Sequence, residues 1–309
     1  MGLFKKNPFG HYQFLKKWLI RIFGVLTHRR YRGYNELQIE GSEIIKNLPD
    51  TNVLFVSNHQ TYFADVTAMF HVFNASLSGR VDSIKNVGYI WQPKMNIYYV
   101  AAKETMRAGL LARIMAYAGA ITVERTWRAK GQEVKRDVNP NDTQNIGKAL
   151  DDGWVITFPQ GTTKPFKPIR KGTAHIIKNH KPIVIPIVID GFRRSFDKKG
   201  LRIKKRGILQ TFQIKKPLEF DYENDSIEDI STRLTDHQKR KNHYNIAPSI
   251  SPNGNEIAIF SDVDGIMNLL LINSLDGKII KKVIEGERNS EFEELHVLKP
   301  GITWSPDGK

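Results

Sequence analysis

Five short apolar runs separated by helical patterns constrain this chain more than any other feature. Residues 53–56 (Val-Leu-Phe-Val), 97–102, 120–123, 154–158 and 183–189 are each mostly apolar, and each ends at a polar turn. Such runs read as buried strands. Between them, residues 64–76, 110–118 and 172–179 follow helical patterns, and Asn141 or Asp142 is placed to cap a helix that ends at Gly153. The alternation predicts an α/β domain with a mixed, largely parallel sheet flanked by helices. Ligands of such sheets sit beyond the carboxyl ends of the strands. Three polar motifs fall at ends of that kind.

With 309 residues, 40% hydrophobic and 26% charged, the chain is globular and long enough for one large domain and something smaller. It has no cysteine. That excludes a thiol nucleophile, a thiolate metal site and disulfides, and it suits a reducing compartment. The formal net charge is +15, which favours polyanionic partners: nucleic acid, an anionic membrane surface or phosphorylated ligands. The charge is uneven. The first 240 residues carry 40 Lys/Arg against 22 Asp/Glu, whereas residues 241–309 carry 7 against 10. A boundary near residue 239 follows.

Residues 1–32 hold eight Lys/Arg and no acid; the first acid is Glu36. Phe14, Leu15, Trp18, Leu19, Ile22, Phe23 and Leu26 recur at three- and four-residue spacing, with Lys16, Lys17 and Arg21 between them. The uninterrupted apolar runs fall far short of the roughly 20 residues of a spanning helix. The lysines also break any signal-peptide core, and Lys6 stands where a myristoylation motif needs Ser or Thr. A basic amphipathic helix lying in a membrane interface fits residues 1–33. The alternative is a first helix packed on the core with its basic side in water.

Asn58-His59 follows the first buried strand and precedes a helix. A neutral imidazole there takes a proton from an attacking hydroxyl at physiological pH, and a carboxylate would hold the ring in the right tautomer. Asp65 is the nearby candidate. Gly119-Ala120-Ile121-Thr122-Val123-Glu124-Arg125 delivers Arg125 at a strand end, where a guanidinium grips phosphate in two-point fashion. In Phe158-Pro159-Gln160-Gly161-Thr162-Thr163-Lys164, Gly161 allows close backbone approach, and Thr162, Thr163 and Lys164 supply donors. Ile185-Pro186-Ile187-Val188-Ile189 is an apolar strand whose internal proline predicts an edge or a bulge.

Separately each of these has a bland explanation: a loop histidine, a strand-end arginine, a polar turn, plain core. Their order and spacing resemble the four blocks of the glycerolipid acyltransferases of the PlsC type, the 1-acyl-glycerol-3-phosphate acyltransferases. Asn58-His59 with Asp65 is similar to the first block, Gly119 to Arg125 to the second, Gln160-Gly161-Thr162 to the third and Ile185-Pro186-Ile187 to the fourth. Ala102-Lys103-Glu104 matches a further stretch, and the resemblance covers roughly residues 10–235. It implies a glycerol-3-phosphate acyltransferase-like fold over 34–238 and a peripheral enzyme at the cytoplasmic face of the membrane. It implies direct transfer as well. His59 deprotonates the hydroxyl of a lysolipid acceptor, which attacks the thioester of acyl-CoA or acyl-carrier protein. Asn58, Arg125, Gln160, Gly161, Thr162, Thr163 and Lys164 would hold the acceptor, and neither a metal nor a cofactor beyond the acyl donor is expected.

Two residues depart from the family pattern. Five residues, not the usual four, separate His59 from Asp65. On an ideal helix one extra residue turns the carboxylate by about 100°. Either the turn absorbs it, or Asp65 does not orient His59. The resemblance implies lysophosphatidate as the acceptor, but Gln160 replaces a glutamate, which removes a charge from the acceptor site and points instead to another hydroxylated lipid such as a lyso-aminolipid. A non-catalytic lipid-binding relative is the alternative from another class. Nucleic-acid binding is suggested only by charge and is not expected.

After Gln238 the sequence changes character. Pro248-Ser249-Ile250-Ser251-Pro252-Asn253-Gly254 is echoed by Thr303-Trp304-Ser305-Pro306-Asp307-Gly308. Residues 256–261, 266–273 and 279–284 read as strands, with Asp262-Val263-Asp264-Gly265 and Leu275-Asp276-Gly277 as turns. Residues 239–309 resemble one blade of a TolB-like β-propeller and the start of the next. Such blades do not bury their faces alone, so a truncated or fused fragment without a closed fold is the expectation.

Overall fold

A computed structural model of the chain describes residues 5–107, 109–124, 128–129, 132–133, 140–164, 167–238, 245–261, 268–285 and 303–306. The strand read first, β2 (Val53–Ser57), is buried at all five positions. It is the middle strand of seven. The others are β1 (Glu36–Glu40), β3 (Ile97–Ala102), β4 (Ala120–Val123), β5 (Trp154–Thr157), β6 (Ile183–Asp190) and β7 (Leu209–Ile214), in the order β1-β7-β6-β2-β5-β3-β4. β2 pairs in parallel with β5, Val53 facing Trp154, and with β6, Val53 facing Ile183. β3 lies parallel to β5 and β4. Only β7 and β1, parallel to each other, run against the remaining five, because β7 pairs antiparallel with β6. The carboxyl ends of β6, β2, β5, β3 and β4 therefore share one edge.

Helices cover both faces. Alternate side chains of β2 divide between two cores. Val53 and Phe55 join α1 (Gln13–Tyr31) and α2 (Ala64–Leu77) on one side. Leu54 and Val56 join α5 (Pro140–Asp152), α6 (Lys171–His180) and α8 (Ile227–Gln238) on the other. Phe55 stacks on Phe73 of α2 at 4.3 Å between ring centroids and meets Trp154 edge-on at 5.5 Å. Truncating a buried ring of this kind costs about 3–5 kcal/mol. Two shorter helices, α3 (Lys103–Arg107) and α4 (Leu110–Tyr117), lie between β3 and β4 in the chain, and α7 (Phe192–Ser195) follows β6.

Three local expectations need correction. Pro186 is not at an edge, for β6 lies between β2 and β7. Past β7 the pairing slips by one residue beside the proline, from Ile187 opposite Ile214 to Val184 opposite Leu218, and Pro186 O accepts the Lys215 N–H at 2.9 Å. Helix α5 starts at Pro140, which puts Asn141 and Asp142 inside its first turn; Asp142 accepts the backbone N–H of Glu124 at 2.7 Å instead. In α1 the residues turned inward are Lys16, Ile20, Thr27 and Tyr31. Of the apolar stripe, Phe14 (47%), Trp18 (42%), Ile22 (51%) and Leu26 (66%) are exposed, while Leu19 and Phe23 are half-buried. Among the described residues no helix is long and apolar enough to cross a membrane.

Residues 1–163 and 169–238 form one compact unit, and residues 164–168 and 239–309 a second. In the second, β8 (Asn245–Ile250), β9 (Glu256–Ser261), β10 (Asn268–Asn273) and β11 (Ile279–Ile284) make an antiparallel sheet in sequence order. The 262–265 turn and Asp307-Gly308 lie outside the described residues.

Candidate active site

The chain leaves β2 at Ser57 into a turn, residues 58–63, and re-enters regular structure at Ala64 of α2. Asn58 ties that turn to β6. Its amide N–H donates to Ile189 O at 2.8 Å, and its carbonyl accepts the Ile189 N–H at 2.9 Å. The side chain therefore copies one more rung of a ladder, a positioning task. Gln60, which no sequence signal singles out, does likewise: its Nε2 donates to Ile189 O and to Asp190 Oδ1, and its Oε1 accepts the Arg193 N–H.

His59 and Asp65 meet. His59 Nδ1 lies 2.8 Å from Asp65 Oδ2. The extra residue is absorbed because 58–63 are not helical, so the 100° rotation of a helix does not apply to them. Asp65 is fully buried. It also accepts the Gln60 N–H at 2.7 Å, the Thr61 N–H at 3.0 Å and the Thr61 hydroxyl at 2.7 Å. Four donors thus converge on it in the first turn of α2. An ionised carboxylate only accepts, so Nδ1 carries the imidazole proton and Nε2 presents its lone pair. The ring stacks on Phe158 at the end of β5, with centroids 4.0 Å apart and planes 21° apart. Its side chain is 13% exposed: shielded, yet reachable.

Phe158 also opens the third motif. The Gly161 N–H donates to Phe158 O at 2.9 Å, closing a turn, and the Arg170 Nε–H donates to Gln160 O at 3.3 Å. Gln160, Gly161 and Thr162 are half-buried and Thr163 is buried. Arg193, just after β6, donates its guanidinium to Thr163 O at 2.6 Å. Together with its backbone bond to Gln60, this joins the His59 turn to the Gln160 turn. Arg193 went unread in the sequence, although it is a strand-end arginine like Arg125. Lys164 is exposed and belongs to the second compact unit. Arg125 lies outside the described residues; Glu124 before it pairs with Lys103 across the ends of β3 and β4 at 2.8 Å.

Beside this edge is an apolar cleft between α1, α2 and α4, lined by Leu19, Phe23, Phe63, Val66, Phe70 and Met115 among others. Phe63 and Val66 flank Ala64 and Asp65 in the chain.

No curated protein matches the sequence. Among solved structures, the chain is similar to the 1-acyl-sn-glycerophosphate (LPA) acyltransferase PlsC from Thermotoga maritima, at 19% identity and a TM-score of 0.47, over 72% of this chain and 77% of that one. A family model described as Acyltransferase matches residues 36–190. That span runs from the first residue of β1 to the last of β6 and takes in the whole His59–Asp65 turn and the Gln160 turn. It amounts to half of the chain, which is thus a member of the acyltransferase family.

Proposed function

We propose that this acyltransferase moves a fatty acyl group from acyl-CoA or acyl-carrier protein to the hydroxyl of a lysophospholipid-type acceptor, with lysophosphatidate first among the candidates. The observation that carries it is the 2.8 Å contact between His59 Nδ1 and Asp65 at the carboxyl end of the central strand. With Nδ1 held, Nε2 takes the proton of the acceptor hydroxyl as its oxygen attacks the thioester carbon. The resulting imidazolium is stabilised by Asp65. Collapse of the tetrahedral intermediate breaks the carbon–sulfur bond, and the thiolate leaves with that proton. The apolar cleft next to α2 suits an acyl chain, and the Gln160 turn suits the acceptor's polar head. Gln160 in place of a carboxylate gives specific support to a second acceptor class, a lyso-aminolipid or similar hydroxylated lipid. The exposed part of the α1 stripe, with Lys17 and Arg21 beside it, supports docking on an anionic membrane surface at its cytoplasmic face.

The test is incubation with labelled acyl-CoA and a panel of lysolipids, with products identified by mass spectrometry. The expected outcome is a diacylated product from the wild type and none from His59→Ala. Near-normal turnover by His59→Ala would sink the mechanism.

A further inference from the structure

The turn between His59 and Asp65 has no helix to order it, so something outside must hold it. A tight loop, residues 197–202, does so. Asp197 closes the loop: its N–H donates to Arg202 O at 3.0 Å, and its Oδ1 accepts the N–H groups of Leu201 at 2.8 Å and Arg202 at 3.0 Å. At the tip, Lys198 O accepts the Tyr62 N–H at 3.1 Å and Lys199 O accepts the Phe63 N–H at 3.0 Å. These are the backbone donors of the last two residues of the turn. Gly200, at φ +73°, packs directly beneath it. A Cβ there would stand 2.5 Å from Ala64 N and 2.8 Å from Thr61 Oγ1. Thr61 is the residue whose N–H and hydroxyl both hold Asp65. From the other side, the Arg30 guanidinium of α1 donates to Gly200 O at 2.9 Å and Leu201 O at 2.6 Å.

We infer that this loop, with Gly200 as its contact point and Arg30 as its clamp, is the positioning device that keeps Asp65 in line with His59 across the longer spacing. Neither residue bonds to His59 or Asp65 directly. A side chain at 200 pushes on Thr61 and Ala64 together, and so moves the carboxylate relative to the ring. The imidazole is then poorly oriented in the step where it takes the proton, which lowers kcat and leaves substrate binding alone. The inference rests on His59 being the base.

The experiment uses the full chain with a long-chain acyl-CoA and the lysolipid panel, comparing wild type, Gly200→Ala, Gly207→Ala and Arg30→Gln below their melting transitions. Gly207 has φ +70° and nothing within 4 Å of a built Cβ, so it carries the backbone strain without the contact. Gly200→Ala is expected to lose about 30-fold in kcat, in the range known for sub-ångström to ångström misplacement, with KM within about twofold. Gly207→Ala keeps wild-type kcat, and Arg30→Gln loses about threefold. Wild-type kcat in Gly200→Ala, or an equal loss in Gly207→Ala, overturns the inference. Should Gly200→Ala not fold, Arg30→Gln decides: reduced kcat at unchanged KM supports the clamp, and unchanged kcat overturns it. A wild type inactive on every lysolipid defeats the acyl-transfer reading and this inference with it. An active wild type that survives Gly200→Ala defeats the inference alone.

Discussion

The turn that holds Asp65 and the inner face of α1 that holds Lys16 each bury a charged group, and they satisfy it to different degrees. Asp65 is 0% exposed and receives four hydrogen bonds, from His59, Gln60 and twice from Thr61. Lys16 is 1% exposed and reaches Ile97 O at 3.2 Å, with its ammonium 4.5 Å from the centre of the Tyr98 ring. Even that carbonyl is reachable only because residue 119 is glycine: a Cβ there would stand 2.6 Å from Ile97 O and 3.2 Å from Lys16 Nζ. Burial drives the Lys16 pKa down from 10.5 to about 7, against the pull of Asp152. One region surrounds its buried group with donors, and the other carries a charge it can lose near neutrality.

The comparison breaks most easily at the carboxylate. Asp65→Asn leaves the packing but removes the partner of the imidazolium, and kcat is expected to fall by about 10³–10⁴, measured at saturating acyl-CoA and acceptor. A fall of less than tenfold would mean that the ring does not depend on Asp65. The next effect belongs to Lys16. Unfolded it titrates near 10.5 and folded near 7. Between those values the unfolded chain binds more protons, so wild-type stability rises with pH across the window. Lys16→Met removes this slope, a difference on the order of 2–4 kcal/mol between pH 7 and 10, read from urea melts. Parallel slopes in the two proteins would show that Lys16 is solvated.

Thr61→Val deletes one donor of four and is expected to cost about 1–2 kcal/mol, checked by the same melts. The smallest effect lies on the outer side of α1. Replacing Trp18 and Leu26 with Ser should weaken sedimentation with anionic vesicles by about tenfold while the melting curve stays put. Unchanged sedimentation would leave the exposed stripe without a membrane role.

Five strands are legible because they are continuous apolar runs: β2, β3, β4, β5 and β6 all lie among the five runs. β1 (Glu-Leu-Gln-Ile-Glu) and β7 (Leu-Gln-Thr-Phe-Gln-Ile) were not read. They bury only alternate residues, a pattern too short in each to stand out. The histidine and its carboxylate were legible as a pair, but their spacing misled, since counting residues along a helix says nothing about an irregular turn. The loop at 197–202 had no signature, because its contribution is two backbone carbonyls and the absence of a side chain. Lys16 stands between apolar positions beside Lys17, and nothing in the sequence separates the buried lysine from the solvated one. Periodicity gives the sides of a helix but not which side the domain takes.

β2 has three strands on each side of it, and its five residues are all buried. Amides in such a strand exchange with solvent only when the whole unit opens. The base is therefore mounted on the part of the molecule that comes apart last. Heat inactivation should coincide with global melting instead of preceding it, and an enzyme cooled before that point should recover its full rate without refolding.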